Sequence, residues 1–469
     1  MKKIIRRSLF LPVLLAASIL LSSCSGGGLF AGFDMNNLMK PPKLTGTQSG
    51  IQQALENALN NKSYTLKYPK SGKERSAFIP VDFGEKGMAV LALYKQDGAK
   101  IHINVIVEED GEYRSIGDIE GADSEVHAVQ TADLDGDGSV EVVISWLTTS
   151  SSDKWLTVYS FEEGDNGYTL SLKMETGFTG MQIVDLDGDS RQELLLMSVD
   201  STNKTATATM YRMTQDGVDS EHVYSAKMDG NVSPRSTGSS PYLEIKTAQL
   251  RSGINAVFVD GSKGTDYTIT EVLYWDGTAL SNLFYDDSFE AVVETQRPTT
   301  VLSMDINQDG WIEIPKVTEL PGYFDKKTSE KLWLTTWYRY DGRVDEDTGQ
   351  DAQKVLACNI NSTDGYYFSF PDEWVNAQSV TIERNSTDRT SSFYAYEWDG
   401  ESFRRTDLLM TLRAFTTAVW EKSESSAGYE YLGEHGSIVY AVKIEGRAAD
   451  FGIDLDFVKD HFVIMADLS

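Results

Sequence analysis

The chain has 469 residues and a formal net charge of −29, from 71 acidic and 42 basic side chains. So acidic a protein repels nucleic acid and anionic lipid, which excludes both as partners. Its two cysteines, Cys24 and Cys358, cannot supply a disulfide framework, and its length leaves room for two or three domains.

In chain order, Lys2, Lys3, Arg6 and Arg7 precede an apolar run from Leu9 to Leu21. That pattern is a secretory signal over 1–23, too short and wrongly flanked for a stable transmembrane helix. The run ends Leu21-Ser22-Ser23-Cys24, which resembles a bacterial lipobox. The resemblance implies lipidation of Cys24, and two or three acyl chains anchor a protein stably where one does not. The expected location is the extracytoplasmic face of the cell membrane, held there by the lipid on Cys24. Residues 24–46, with Ser25-Gly26-Gly27-Gly28 and Pro41-Pro42, read as a flexible tether. A short helix is predicted over 47–61, with Ile51, Leu55, Ala58 and Leu59 on one face.

The first stretch that carries chemistry is Asp133-Leu134-Asp135-Gly136-Asp137-Gly138-Ser139-Val140-Glu141. Carboxylates stand at positions 1, 3, 5 and 9 of a Gly-bearing loop. Alternate residues of such a turn point inward, and hard oxygens at that spacing, with a backbone carbonyl at position 7, suit Ca²⁺. The pattern returns at Asp185-Leu186-Asp187-Gly188-Asp189, closing with Glu193, and at Asp305-Ile306-Asn307-Gln308-Asp309-Gly310, closing with Glu313. An EF-hand would need flanking helices and an acid at position 12, where Ile144, Leu196 and Lys316 stand. The flanks of the first loop, 126–132 and 140–146, are β-rich and too short for helices. Strand, carboxylate loop, strand is therefore the predicted unit.

Weaker copies begin at Asp82 and Gln249, the first poor in ligands and the second without acids. The starts 82, 133, 185, 249 and 305 are then 51, 52, 64 and 56 residues apart. Asp110-Gly111, Asp216-Gly217, Asp276-Gly277 and Asp341-Gly342 supply hairpin tips between β-rich runs. Each unit reads as a four-stranded blade, and blades at this period predict a propeller.

These loops resemble FG-GAP/VCBS-type repeats, the blades of integrin-α-like β-propellers. The resemblance implies a mainly β fold, a propeller over 62–360, and Ca²⁺ held between the strands of a blade at two to three structural sites. It carries side-chain ligands to Asp133, Asp135, Asp137 and Glu141 with the Ser139 carbonyl. It carries them likewise to Asp185, Asp187, Asp189 and Glu193 with the Arg191 carbonyl, and to Asp305, Asn307, Asp309 and Glu313 with the Trp311 carbonyl. The second loop departs from the pattern at Ser190, where Gly is usual, and the third at Asn307. Pro41-Pro42-Lys43-Leu44-Thr45-Gly46 and Tyr68-Pro69-Lys70-Ser71-Gly72 also resemble the opening of uncharacterised lipoproteins of Clostridia-like Gram-positive bacteria.

From about residue 361 the carboxylate loops stop. Strand-like runs at 379–383, 393–398, 409–419 and 437–444 and a terminal helix near 455–462 predict a small C-terminal α+β domain over 361–469. Five visible units plus that domain is one arrangement; the length from residue 62 onward would also hold seven blades.

No catalytic constellation emerges. His102, His127, His222, His435 and His461 lack metal-ligand spacing, and there is no Gly-x-Ser-x-Gly elbow or phosphate loop. Val355-Leu356-Ala357 before Cys358 predicts a buried structural cysteine. Trp146, Trp155, Trp275 and Trp333 read as blade packing, with sugar stacking as the alternative. The expected function is a monomeric, membrane-anchored Ca²⁺-binding propeller that recognises an envelope protein or glycan. A secreted glycan-active hydrolase or lyase and a structural envelope protein are the alternatives.

Overall fold

A computed structural model describes residues 47–468 apart from 97, 99, 149–153, 165–166, 237–238, 343–351 and 423–425. The signal, Cys24 and the tether lie outside the described residues. Among the described residues no helix is long and apolar enough to cross a membrane.

The N-terminal helix, Thr47–Ala58, buries Ile51, Ala54 and Leu55, and Leu59 just after it, beside Ala92, Tyr94 and Ile106. Ala58, expected on that face, is the last helical residue and is exposed; Ala54 is buried instead. The rest is mainly β, laid out as successive antiparallel sheets. The first runs Phe78–Asp82, Met88–Lys95, His102–Glu109, Glu112–Glu120, with Thr65–Leu66 also on the second of these strands. The second runs Val126–Ala132, Glu141–Leu147, Lys154–Gly164, Gly167–Phe178. The third runs Gly180–Val184, Glu193–Asp200, Thr205–Thr214, Gly217–Met228, and the fourth Tyr242–Gln249, Asn255–Lys263, Tyr267–Trp275, Leu280–Asn282. Each four-strand run is a meander in which strands pair with their sequence neighbours, Thr65–Leu66 being the exception.

Strands inside these sheets are covered on both faces. That is why Val142-Val143-Ile144 and Leu194-Leu195-Leu196-Met197 read as unbroken apolar runs, every residue of them buried. Phe83 of the first sheet stacks on Phe161 of the second, with ring centroids 4.3 Å apart. Leu134, Leu156, Leu194 and Met213 fill the space between the second and third sheets. Met197, Met210, Val257 and Leu273 do so between the third and fourth.

The fifth sheet opens with a bridge from Met304 to Glu313 and continues through Ile314–Glu319, Trp333–Tyr340, Ala352–Asn361 and Tyr366–Phe370. Phe462–Ile464, at the end of the chain, adds to its edge. The boundary expected at 360 therefore falls inside a hairpin: Ala357 pairs with Phe370 and Asn361 with Tyr366. The apolar run Tyr366-Tyr367-Phe368 finds its place on a strand already formed rather than founding a new unit. The sixth sheet orders Val380–Asn385, Thr390–Trp398, Phe403–Thr416, Ile438–Ile444 and Glu430–His435. Phe368, Trp374, Phe393, Leu409 and Val458 form one core that joins it to the fifth sheet and to the terminal helix Leu455–His461.

Candidate functional site

All five loops read from the sequence connect adjacent strands, and they share one frame. Position 2 is a buried apolar residue in each: Phe83, Leu134, Leu186, Leu250 and Ile306. A buried residue needs a partner for its backbone N–H. In the three acidic loops the closing glutamate provides it, as Glu141 accepts from Leu134 at 2.8 Å, Glu193 from Leu186 at 2.9 Å, and Glu313 from Ile306 at 3.1 Å. In the two weak copies a backbone carbonyl does the same work: Phe83 donates to Gly87 at 2.9 Å and Leu250 to Ile254 at 2.7 Å.

The remaining acids of each loop are held by backbone amides. Asp133 accepts from Gly136 at 2.7 Å and Gly138 at 3.0 Å, Asp135 from Asp137 at 3.0 Å, and Asp137 from Ser139 at 2.7 Å. Asp185 accepts from Gly188 and Ser190, Asp187 from Asp189, and Asp189 from Arg191. Asp305 accepts from Asp309 and Gly310, Asn307 from Asp309, and Asp309 from Trp311. Positions 4 and 6 have positive φ throughout, at Gly136 and Gly138, Gly188 and Ser190, and Gln308 and Gly310. Only glycine takes that conformation freely, which explains the Gly-x-Gly spacing and makes Ser190 a strained residue.

The loops differ in what faces the carboxylates. Asp133, Asp135 and Glu141 each bring one oxygen within 4.8 Å of the others, and so do Asp185, Asp187 and Glu193. Both clusters can hold a cation. Asp137 is not part of the first; its carboxylate meets the Lys86 ammonium at 3.0 Å. On the strand beside Glu141 stands Ser160, whose hydroxyl donates to it at 3.1 Å. The matching strand of the third sheet carries Arg212, paired with Asp187, with Asp189 at 2.7 Å and with Glu193 at 3.6 Å. The fifth sheet carries Arg339, paired with Asp309 and with Glu313 at 2.9 Å. The second and third loops thus already hold a guanidinium against their acids, and the first does not.

Burial pushes the Glu141 carboxyl up to about 7, with Asp135 repulsion adding to it, and burial raises Glu193 to about 7 as well. Carboxyls raised in this way gain from a counter-cation. Ca²⁺ fits the first loop best, since Ser160 and not a guanidinium stands against Glu141 and the nearby Lys86 pairs with Asp137, outside the cluster of Asp133, Asp135 and Glu141. Arg212 and Arg339 lie outside the nine-residue motif and escaped sequence reading; aligning the second strand after each loop would have shown Ser160, Arg212 and Arg339 side by side.

Cys358 is buried as expected, accepts from Trp337 Nε1 at 3.3 Å, and burial pushes its thiol up to about 12, so it is inert. Trp146 is fully buried, as expected of blade packing, whereas Trp155 is exposed.

No protein-family model matches this chain, and no curated protein matches it. Among solved structures, similarity is found to a protein from Lactobacillus plantarum at 11% identity over 70% of this chain and 83% of that one, with a TM-score of 0.27. An exo-β-1,3-galactanase from Clostridium thermocellum is similar at 12% identity over 80% and 79%, with a TM-score of 0.23. A GH43 β-1,3-galactosidase is similar at 10% identity over 76% and 75%, with a TM-score of 0.22.

Proposed function

We propose that this protein is a lipid-anchored, extracytoplasmic β-propeller of FG-GAP/VCBS type that uses Ca²⁺ to stiffen its blades and binds a protein or glycan of the cell envelope. The observation that carries the reading is the first loop, where Asp133, Asp135 and Glu141 converge and no guanidinium stands against the closing glutamate. Such a cluster is repulsive alone, and a cation bound only by the folded state stabilises that state by mass action. The secretory signal and lipobox cysteine supply the location, and the acidic surface keeps the partner from being nucleic acid.

The test has two arms. Cys24→Ala should move the protein from the membrane fraction to the soluble one; retention on the membrane would sink the anchoring. The wild-type protein should capture one class of envelope ligand, on a glycan array or from solubilised envelope, in Ca²⁺ and not in chelator. Capture indifferent to Ca²⁺ would remove the metal from the function, and turnover of a glycan instead of capture would favour the hydrolase or lyase reading.

A further inference from the structure

We propose that a cleft between the fifth and sixth sheets binds an anionic saccharide, a sugar chain bearing carboxylates; this rests on reading the protein as a ligand-binding module. The cleft has a volume of about 630 Å³. Its aromatic side is built on one hairpin. Tyr396 and Phe403 lie nearly parallel, 17° apart with centroids at 6.2 Å, and Trp398 meets Phe403 edge-on at 5.4 Å. Phe403 and Trp398 are each 58% exposed, unlike the core aromatics Trp146, Trp337 and Phe393. Of the three, Tyr396 and Phe403 line the cleft, and the exposed Phe403 ring beside the half-buried Tyr396 offers an apolar face that accepts the C–H face of a sugar ring, with Trp398 bracing Phe403 from outside the cleft.

The cleft is also preformed. Tyr323 donates its hydroxyl to the Ile382 carbonyl at 2.8 Å, tying the turn after the strand Ile314–Glu319 to the sixth sheet. Gly322 has φ +85°, and a Cβ there would sit 3.2 Å from the Tyr396 ring, so the turn lies directly against the platform. Little ordering is left for a ligand to impose.

Charge selects the ligand. In a chain of net charge −29, the cleft is lined by Lys326, Arg384, Arg404 and Arg405 against only Glu330 and Glu383. Arg405 pairs with Glu383, and Arg404 with Asp399 at 2.6 Å. Lys326 lines the cleft outside both of these ion pairs. Arg384 reaches Asn359 and the Ile360 carbonyl through Nη2, while its buried Nε has no partner. A ligand carboxylate meets Lys326 while its ring rests on Phe403, and the Arg384 guanidinium, buried behind the cleft wall, adds positive potential without touching the ligand.

The experiment is calorimetric titration of the whole mature protein with glucuronate- and galacturonate-containing oligosaccharides, each beside its carboxyl-reduced form. We expect at least one acidic oligosaccharide to bind, about tenfold weaker to Phe403→Ala, and with a reduced salt dependence to Lys326→Ala. Phe403 is exposed, so its loss should leave the melting temperature unchanged and folding is not at issue. No binding across the panel, equal binding of the carboxyl-reduced forms, or full affinity in Phe403→Ala would each overturn the proposal. If envelope capture persists unchanged in Phe403→Ala, the cleft is wrong while the binding-module reading stands.

Discussion

Glu193 and Arg212 face each other across adjacent strands, one place beyond the Leu194–Tyr211 pair, with Oε1 and Nε 3.6 Å apart. Arg339 takes the same place against Glu313, and Ser160 takes it against Glu141. One cross-strand position thus decides whether a guanidinium stands against the closing glutamate of a loop.

Asp133→Ala combined with Asp135→Ala should abolish the rise in melting temperature that Ca²⁺ gives, with little change in chelator. The loss is confined to one condition because the two acids repel each other when no cation is present. Equal destabilisation with and without Ca²⁺, followed by scanning calorimetry, would show that the loop holds no metal.

Arg212→Ala should cost about 2 kcal/mol in chelator, because it strands the buried Glu193 carboxylate beside Asp187 and Asp189. Added Ca²⁺ should restore part of that loss, since the vacated space becomes a cation site like the first loop. Chemical denaturation of the variant at several Ca²⁺ concentrations measures both effects, and absence of any rescue would contradict the equivalence of the loops.

Ser190→Gly should stabilise the protein by about 0.5–1 kcal/mol, since Ser190 holds φ +75° where the sister loops have Gly138 and Gly310. The amide that donates to Asp185 at 3.0 Å is retained in the variant. A fall in denaturation midpoint would show that the serine hydroxyl contributes more than the strain costs.

Glu271 gives a pH dependence separate from the loops. Its side chain is buried, accepts from the Asp229 amide at 3.1 Å and from Asn282 at 2.7 Å, and leaves Oε1 without a partner. Burial pushes its carboxyl up to about 7. A carboxyl whose folded-state pKa is raised favours the folded state while protonated. Its contribution is therefore full below the ordinary value near 4.5 and is lost as pH rises toward 7, by about 3 kcal/mol. Glu271→Gln should flatten the stability profile between those limits relative to the wild type, as urea midpoints across that range would show.

Gly121→Ala tests the packing between the first two sheets. A Cβ at 121 would come 2.2 Å from the Trp146 ring, which is fully buried and fixed by its Nε1 hydrogen bond to Thr157 at 2.9 Å. The ring cannot step aside without breaking that bond, so the substitution should cost about 1–3 kcal/mol. An unchanged melting temperature would mean that the core is looser than its contacts indicate.

The loops were legible because their signal is local. Acids at fixed spacing and glycines where φ is positive all lie within nine residues in the three acidic loops, and the copies at 82 and 249 keep the apolar residue at position 2 and a positive-φ glycine without the full set of acids. Features built by distant segments were not legible. Tyr366–Phe370 and Phe462–Ile464 share a sheet across some ninety residues of chain, and no periodicity announces such a pairing. Arg212 and Arg339 belong to the loops in space but to the second strand beyond them in sequence. Phe403 and Trp398 look like ordinary strand residues until their exposure is seen.

The two acid-poor loops show what the frame can do without charge. Phe83 and Leu250 have their amides satisfied by the backbone alone, through Gly87 and Ile254. Sheets one and four are thus indifferent to ions at these turns, while sheet two depends on what its surroundings supply. Removing Ca²⁺ should therefore loosen the molecule at a single seam instead of melting it as a whole. Amide exchange would show this as protection lost around 133–141 and kept around 82–87 and 250–254. Such a protein would register a falling ion concentration as a local softening beside the first loop, and a ligand held at that seam would be released while the other sheets kept their packing.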